Sequence, residues 1–126
     1  MTAEPRQPKL LRRLRKRAQF LNAARGLRAG RVAFSLQAIA VADAPAAGLG
    51  LTVTKKTGNS PQRNRIKRRL RAAARACSGL FEAQHDYVLV GRREALSLPF
   101  SKVVADLSSA IAKVHAKPRD AGTAGP

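Results

Sequence analysis

The segment KKTGNSPQRNRIKRRLRAAARAC, residues 55–77, constrains the fold most strongly, because its few apolar residues form only one regular pattern. Ile66, Leu70, Ala73 and Cys77 recur at spacings of four, three and four, which places them along one side of a helix. Basic and polar residues occupy most of the remaining positions. We therefore expect an amphipathic helix whose narrow apolar stripe faces the core.

Both ends of this helix carry recognisable signals. Ser60 is a suitable N-cap, and Pro61 suits the first helical position because it has no amide to lose there, so the helix is predicted to begin at Pro61. Ser78 and Gly79 are predicted to end it. The outer face is predicted to carry Asn64, Arg65, Lys67, Arg68, Arg71 and Arg75, with Arg63 and Arg69 flanking the stripe.

Three further segments have the pattern of strands. Residues 31–41, RVAFSLQAIAV, alternate with Val32, Phe34 and Leu36 predicted to point inward. Residues 49–56, LGLTVTKK, alternate again, and the inward positions are Leu49, Leu51 and Val53. Residues 86–93, DYVLVGRR, are continuously apolar at their centre, as expected for a strand inside a sheet.

Two more helices are predicted. The basic segment of residues 10–26, LLRRLRKRAQFLNAARG, turns helical, with a stripe of Phe20, Leu21 and Ala24 and a stop at Gly26. Residues 97–117, SLPFSKVVADLSSAIAKVHAK, form the last helix, with Pro99 near its start. Its predicted stripe consists of Phe100, Val104, Leu107, Ile111 and Val114.

The resulting element order is helix, strand, strand, basic helix, strand, helix, with one further strand possible before the basic helix. An α/β sandwich of the α+β type follows, with three helices expected on one face of a small mixed sheet. The length of 126 residues suits a single domain, which we place at residues 9–117 between tails at residues 1–8 and 118–126.

Charge is the strongest indication of function. The chain has 25 Lys and Arg against seven Asp and Glu, a formal net charge of +18. Ten basic residues and no acid lie between Arg6 and Arg31, and nine basic residues and no acid lie between Lys55 and Arg75. Unmixed blocks of this size favour a polyanion partner, with nucleic acid as the leading candidate and an anionic membrane surface as the alternative.

No transmembrane run or signal-peptide pattern is present, so a soluble cytoplasmic protein is expected.

Catalytic and metal-binding constellations are weak in this sequence. The acids are scattered, with no pair at a spacing that suggests two-metal chemistry. His85 and His115 are interpreted as surface or capping residues, and Cys77 as a small core residue. One cysteine and two histidines fall short of the four ligands of a structural zinc site, so we predict no catalytic residue and no metal held by this chain.

The ordered combination of motifs resembles the bacterial ribonuclease P protein subunit family. The resemblance is carried by TVTKKTGNSPQRNRIKRRLR at residues 52–71, with LRKRAQFL before it and HDYVLVGRREAL and PFSKVVADLSSAI after it. It implies a left-handed βαβ crossover around the basic helix. It also implies a protein cofactor of a catalytic RNA, one protein per RNA, that helps remove the 5′ leader of precursor tRNA with Mg²⁺ held mainly by the RNA and no organic cofactor.

The resemblance also implies two sets of binding residues. By match to the family motif, the RNA-binding residues are Lys55, Lys56, Asn59, Arg63, Asn64, Arg65, Lys67, Arg68 and Arg69, to which we add Arg71. A leader-binding cleft between the first helix and the sheet would involve Phe20, Arg25, Phe34 and Gln37. Ala24 and Gln37 stand where the family often has aromatic residues, so stacking on the leader is expected to be weaker.

Three functions remain open at this point: the ribonuclease P subunit, a ribosomal or RNA-chaperone protein that binds RNA without cleavage, and a DNA-binding helix module. Strands on both sides of the basic helix argue against the third, because a helix-turn-helix pair would be needed there.

Overall fold

Five strands form one mixed sheet in the computed structural model, which describes residues 11–42 and 44–116. The spatial order is β1-β4-β5-β3-β2. Both β1 and β5 run parallel to β4, whereas β3 is antiparallel to β5 and β2. The strands are β1 Arg12–Arg13, β2 Leu27–Gly30, β3 Phe34–Ala40, β4 Gly48–Thr52 and β5 His85–Gly91.

Three helices complete the fold: α1 Arg17–Ala24, α2 Ser60–Ala76 and α3 Phe100–Val114. Short 3₁₀ turns lie at Lys55–Thr57, Ser78–Leu80 and Arg93–Leu96. The parallel neighbours β4 and β5 are joined through α2, so the basic helix is the crossover of a βαβ unit. The predicted elements are confirmed, including a further strand before the basic helix, and the short strand β1 is additional.

The helices cover both faces of the sheet, and the expectation of a single helical face is wrong. On one face α2 and α3 pack together, and the buried cluster beneath them includes Phe34, Leu36 and Leu89. On the other face α1 contributes Ala23 to a smaller cluster around Val88. The reason lies in the period of two along β3 and β5, which gives each face its own set of apolar side chains.

The predicted stripe of α2 is confirmed, since Ile66, Leu70, Ala73 and Cys77 are all buried. The start of the helix is shifted by one residue. Asn59 rather than Ser60 is the N-cap: its side chain accepts a hydrogen bond from the Gln62 amide at 2.9 Å, and the Gln62 side chain accepts from the Asn59 amide at 2.9 Å. This reciprocal capping box satisfies two amides that the first turn would otherwise leave without partners.

The apolar stripe of α1 differs from prediction, whereas that of α3 is confirmed at Leu107, Ile111 and Val114 and differs only at its start. In α1 the buried residue is Ala23, and Leu21 is 54% exposed. In α3 the buried set is Val103, Leu107, Ala110, Ile111 and Val114, while Phe100 is 42% exposed. Phe100 is the first residue of α3, and the buried stripe begins one turn later, at Val103.

The strand phases are largely confirmed. Phe34, Leu36 and Ala38 alternate as buried residues along β3. Val32, predicted to point inward, precedes β3 and is 54% exposed.

The first strand is held by an ion pair. The Arg12 guanidinium donates to the Asp86 carboxylate at 2.7 Å, and Asp86 is buried on β5. Gly48 of β4 leaves room for this pair, because a Cβ atom there would lie 2.5 Å from Asp86 Oδ1. The segment predicted to turn helical therefore begins as a strand, and the helix follows only at Arg17.

Both predicted tails lie outside the described residues. Within the described ranges, none of the helices combines the length and apolar character needed to cross a membrane.

Candidate nucleic-acid interface

The outer side of α2 is a continuous basic face. We define this basic face as Asn64, Arg65, Lys67, Arg68, Arg71 and Arg75. All of these side chains are exposed except that of Lys67, which is half-buried. Burial of Ile66 and Leu70 on the opposite side fixes the rotation of the helix and thereby points these charges outward.

The turn that precedes α2 continues this surface, but two of its predicted RNA-binding residues already have partners within the protein. Asn59 caps the helix, and Arg63 donates to the Gly58 carbonyl at 2.7 Å and to Ser60 Oγ at 3.1 Å. Lys55 and Lys56 are exposed on the 3₁₀ turn. Asn59 and Arg63 thus shape the turn that presents the two lysines.

Arg93 is a functional candidate that sequence reasoning missed. Its guanidinium donates to the Thr57 carbonyl at 3.0 Å, so it reaches the same turn from the segment after β5. No sequence signal marks it, because 36 residues separate the two partners.

Arg69 points away from the basic face. Its guanidinium donates to the Leu98 carbonyl, and its Nε atom is buried with no hydrogen-bond partner among the described residues. The side chain therefore links α2 to the segment that leads into α3. This hydrogen bond holds α2 against the segment before α3. Whether Arg69 also contacts RNA remains a prediction.

A basic groove of about 850 Å³ runs between α2 and the N-terminal segment. Phe20, Gly50 and Leu51 supply part of its apolar floor. Its basic lining consists of Arg12, Arg13, Arg15, Lys67, Arg71 and Arg75. Sequence analysis found both basic blocks but not that β1 brings them together across this groove.

A second depression of about 600 Å³ adjoins the basic groove and shares Arg13, Lys67 and Arg71 with it. Pro61, Asn64 and Arg68 complete its lining. Among residues 11–42 and 44–116, no acidic side chain lines either depression. Positive charge in a concave surface of this kind attracts phosphate groups from several directions at once.

The candidates for a leader cleft separate onto the two faces of the sheet. The ring of Phe20 lies over Gly50, where a Cβ atom would approach it to 2.7 Å, and Gln37 is half-buried on the α1 side of β3. Arg25 is exposed at the C-cap of α1. Phe34 is fully buried beneath α2 and α3, which removes it from the cleft.

A cluster of titratable groups lies at the other end of the sheet. The Tyr87 hydroxyl is 2.6 Å from His115 Nε2 and accepts a hydrogen bond from the Glu82 amide at 2.9 Å. Burial raises the pKa of Tyr87 to about 12. Burial also lowers the pKa of His115, with the Glu82 carboxylate acting in the opposite direction.

His115 is the C-cap of α3, which agrees with the interpretation of this residue as a capping residue.

Cys77 is buried, and its sulfur lies 3.7 Å from the Val104 carbonyl. Burial raises the pKa of the Cys77 thiol, so the protonated form is favoured at neutral pH. The interpretation of Cys77 as a core residue is consistent with this environment.

Comparison with known proteins assigns these features to one family. The family model for Ribonuclease P matches residues 9–115. The Ribonuclease P protein component of Ruegeria pomeroyi is 44% identical over 107 residues, covering 82% of this chain and 86% of the relative. That of Paramagnetospirillum magneticum is 40% identical over 121 residues and covers 84% of each chain.

Solved structures agree with the sequence relatives. The Staphylococcus aureus RNase P protein superposes with a TM-score of 0.68 at 26% identity, over 81% of this chain and 95% of that chain. The Thermotoga maritima RNase P protein gives a TM-score of 0.66 at 26% identity, over 77% and 92%.

Proposed function

Because the chain belongs to the ribonuclease P protein family, we propose that it binds the catalytic RNA of ribonuclease P and the 5′ leader of precursor tRNA, and so assists removal of the leader. One observation carries this proposal. The basic face of α2 and the basic segment at β1 converge on a groove whose described lining contains no acidic residue. A surface of this kind suits a folded RNA, whose backbone presents phosphates on more than one side.

The contacts that we expect are of two kinds. Arg65, Arg68 and Arg71 are exposed and project from successive turns of α2, so their guanidinium groups can each grip a phosphate with two parallel hydrogen bonds. Asn64 is exposed between them and carries no charge, which suits a directional hydrogen bond to a sugar or to the RNA backbone. Lys67 lies where the two depressions meet.

The phosphodiester hydrolysis itself is proposed to belong to the RNA subunit, together with the Mg²⁺ ions that it requires. The carboxylates of the described residues support this division. Asp86 is buried in its ion pair with Arg12, and Asp106 pairs with Lys102 at 3.1 Å. Glu82 and Glu94 line neither depression. The protein's contribution is therefore to hold the RNA and the substrate together.

The leader is proposed to lie over the α1 side of the sheet, next to the basic groove. Phe20 lines that groove and is half-buried over Gly50, so an exposed part of its ring is available to a base. Stacking of a base on an aromatic ring contributes about 1–3 kcal/mol. Gln37 offers only its amide on this surface, so Phe20 would be the main stacking residue.

A reconstitution assay tests the proposal. Purified protein, catalytic RNA and precursor tRNA are combined at limiting Mg²⁺, and release of the leader is measured. The protein alone should release none, and its addition to the RNA should raise the rate. Lys67→Ala should reduce this stimulation, whereas the matched variant Lys113→Ala should not, because Lys113 is exposed on α3 and lines neither depression.

The alternative of an RNA-binding protein without a role in cleavage gives a different result. Such a protein would bind both RNAs and leave the rate of leader release unchanged. Equal loss of stimulation by Lys67→Ala and Lys113→Ala would contradict the proposed surface, because only overall charge would then matter.

A further inference from the structure

Three potential metal ligands come together at the end of the sheet opposite the start of α2. Glu82 lies in the connection between α2 and β5, His85 is the first residue of β5, and His115 directly follows α3. Their ligand atoms all lie within 4.8 Å of one another. We call these three residues the histidine cluster, which contains both histidines of the chain.

The ring nitrogens of the histidine cluster are already differentiated by hydrogen bonds. His85 Nδ1 lies 3.0 Å from the Ala83 carbonyl, which can only accept, so Nδ1 carries the proton and Nε2 is left with a free lone pair. His115 Nε2 lies 2.6 Å from the Tyr87 hydroxyl, and Nδ1 faces Glu82 Oε1 at 3.7 Å. Metal-ligating histidines usually hold their second nitrogen in this way, against a carbonyl or another fixed polar group.

We propose that Glu82, His85 and His115 form a binding site for Zn²⁺. Two imidazole nitrogens and one carboxylate oxygen are a ligand set that zinc accepts, with a fourth position left for water. Imidazole ligands favour zinc over Mg²⁺ or Ca²⁺, which prefer oxygen donors. This site is separate from the Mg²⁺ proposed to be held by the RNA.

The distances allow such a site with a small adjustment. Ligand atoms around a tetrahedral zinc ion are separated by roughly 3.4 Å, given bond lengths of about 2.1 Å. The His115 Nδ1 to Glu82 Oε1 distance of 3.7 Å is close to this value. The ligand atoms of the cluster are at most 4.8 Å apart, so they would have to move together by about 1.4 Å at most. The Glu82 side chain, which is 56% exposed, and the partly exposed His85 ring can both move to supply this adjustment.

Zinc at the histidine cluster would join the start of β5, with Glu82 just before it, to the end of α3, which lies far along the sequence. Only the folded chain brings the three ligands together, so binding stabilises the folded state. This inference departs from the sequence-based expectation that the chain holds no metal. That expectation counted only cysteine and histidine and gave no weight to Glu82, whose proximity to His115 depends on the fold.

The test uses the full chain after treatment with a chelator. Zinc chloride is titrated by calorimetry, and thermal unfolding is followed with and without zinc. Cobalt chloride then serves as a spectroscopic probe, because tetrahedral Co²⁺ absorbs in the visible range. Tyr87 adds an internal reporter: it is the only tyrosine, the chain has no tryptophan, and its hydroxyl contacts His115.

We expect one zinc ion per chain, a rise in the unfolding temperature and a visible cobalt spectrum. His85→Ala and Glu82→Gln should each weaken zinc binding by about tenfold or more. Glu94→Gln is the matched control, since Glu94 is an exposed carboxylate outside the cluster, and it should bind zinc like the unaltered chain.

His85→Ala removes a ring that contacts Ala83 and His115 at the edge of the core, so a folded variant is expected, and circular dichroism checks this. Glu82→Gln keeps the size of an exposed side chain and serves as the second variant. Absence of zinc binding to the unaltered chain, or unchanged affinity in folded Glu82→Gln and His85→Ala, would overturn the proposed site. Neither outcome bears on the RNA surface, which lies elsewhere.

Discussion

Helices α2 and α3 pack side by side on the same face of the sheet, but their outer faces carry different charge. Both bury a regular apolar stripe, represented by Leu70 in α2 and Leu107 in α3. The outer face of α3 mixes signs, with an ion pair between Lys102 and Asp106 at 3.1 Å. All ionisable side chains of α2 are basic.

This difference separates what the fold requires from what the function requires. Two helices with similar buried stripes pack on the same core, so forming the core does not require the positive charge of α2. Like charges three and four residues apart repel one another and destabilise a helix by a few tenths of a kcal/mol per pair. The basic face is therefore a cost to stability, which an RNA partner would offset.

The largest expected effects concern the buried stripes, where the two helices should behave alike. Leu70→Ala and Leu107→Ala should each lower the free energy of unfolding by about 2–5 kcal/mol, because both side chains are fully buried. Denaturant unfolding of the free protein measures this. Leu21→Ala is the control, since Leu21 is 54% exposed and its loss should change stability little. An unchanged midpoint for Leu70→Ala would show that the rotation of α2 is different.

Removing two charges from one helix should then distinguish α2 from α3 in its effect on RNA binding. Arg68→Ala combined with Arg71→Ala removes two charges from α2, and Lys102→Ala combined with Lys113→Ala removes two from α3. The α2 double variant should bind the catalytic RNA about tenfold or more weakly and reduce the salt dependence of log K by roughly 1.5. The α3 double variant should show a much smaller loss of affinity.

Affinity for the catalytic RNA is measured at several salt concentrations, and circular dichroism confirms that both double variants are folded. Similar losses for the two would mean that the protein attracts RNA through its net charge alone. The comparison of the helices would then say nothing about a specific interface.

The smallest effect comes from a side chain without charge. Asn64→Ala should weaken binding to the catalytic RNA by about 1 kcal/mol if its exposed amide makes a hydrogen bond to the RNA. Ser101→Ala, at an exposed polar position near the start of α3, is the matched control and should have no effect. The same affinity measurement applies, with a scrambled RNA of equal length as a second ligand. A loss for Asn64→Ala on both RNAs would indicate a contact without sequence or shape preference.

Local patterns predicted the helices and the main strands because each pattern depends on neighbours in the chain. The stripe of α2 and the alternation of β3 are examples, and both are confirmed. The period of two along β3 also places Phe34 and Gln37, three residues apart, on opposite faces, so the sequence already argued against both of them in one cleft. In α3 the stripe differs at its first turn, where Val103 rather than Val104 is fully buried and Phe100 is exposed.

The sites that sequence reasoning missed all depend on contacts between distant residues. The basic groove requires β1 to pair with β4, and β1 is only two residues long, too short to leave a periodic signal. The histidine cluster joins residues from the connection before β5 and from the end of α3. Patterns along the sequence contain no information on distances between residues far apart in the chain. Those distances depend on how the sheet and helices pack.

The ion pair between Arg12 and Asp86 also orders events during biosynthesis. Its partners are 74 residues apart, and among the described strands β1 pairs only with β4, over two residues. A ribosome makes the chain from the N-terminus, so β1 leaves the exit tunnel well before β5 exists. Until Asp86 emerges, Arg12 has no buried carboxylate to hold it, so this ion pair can form only once most of the chain has been translated.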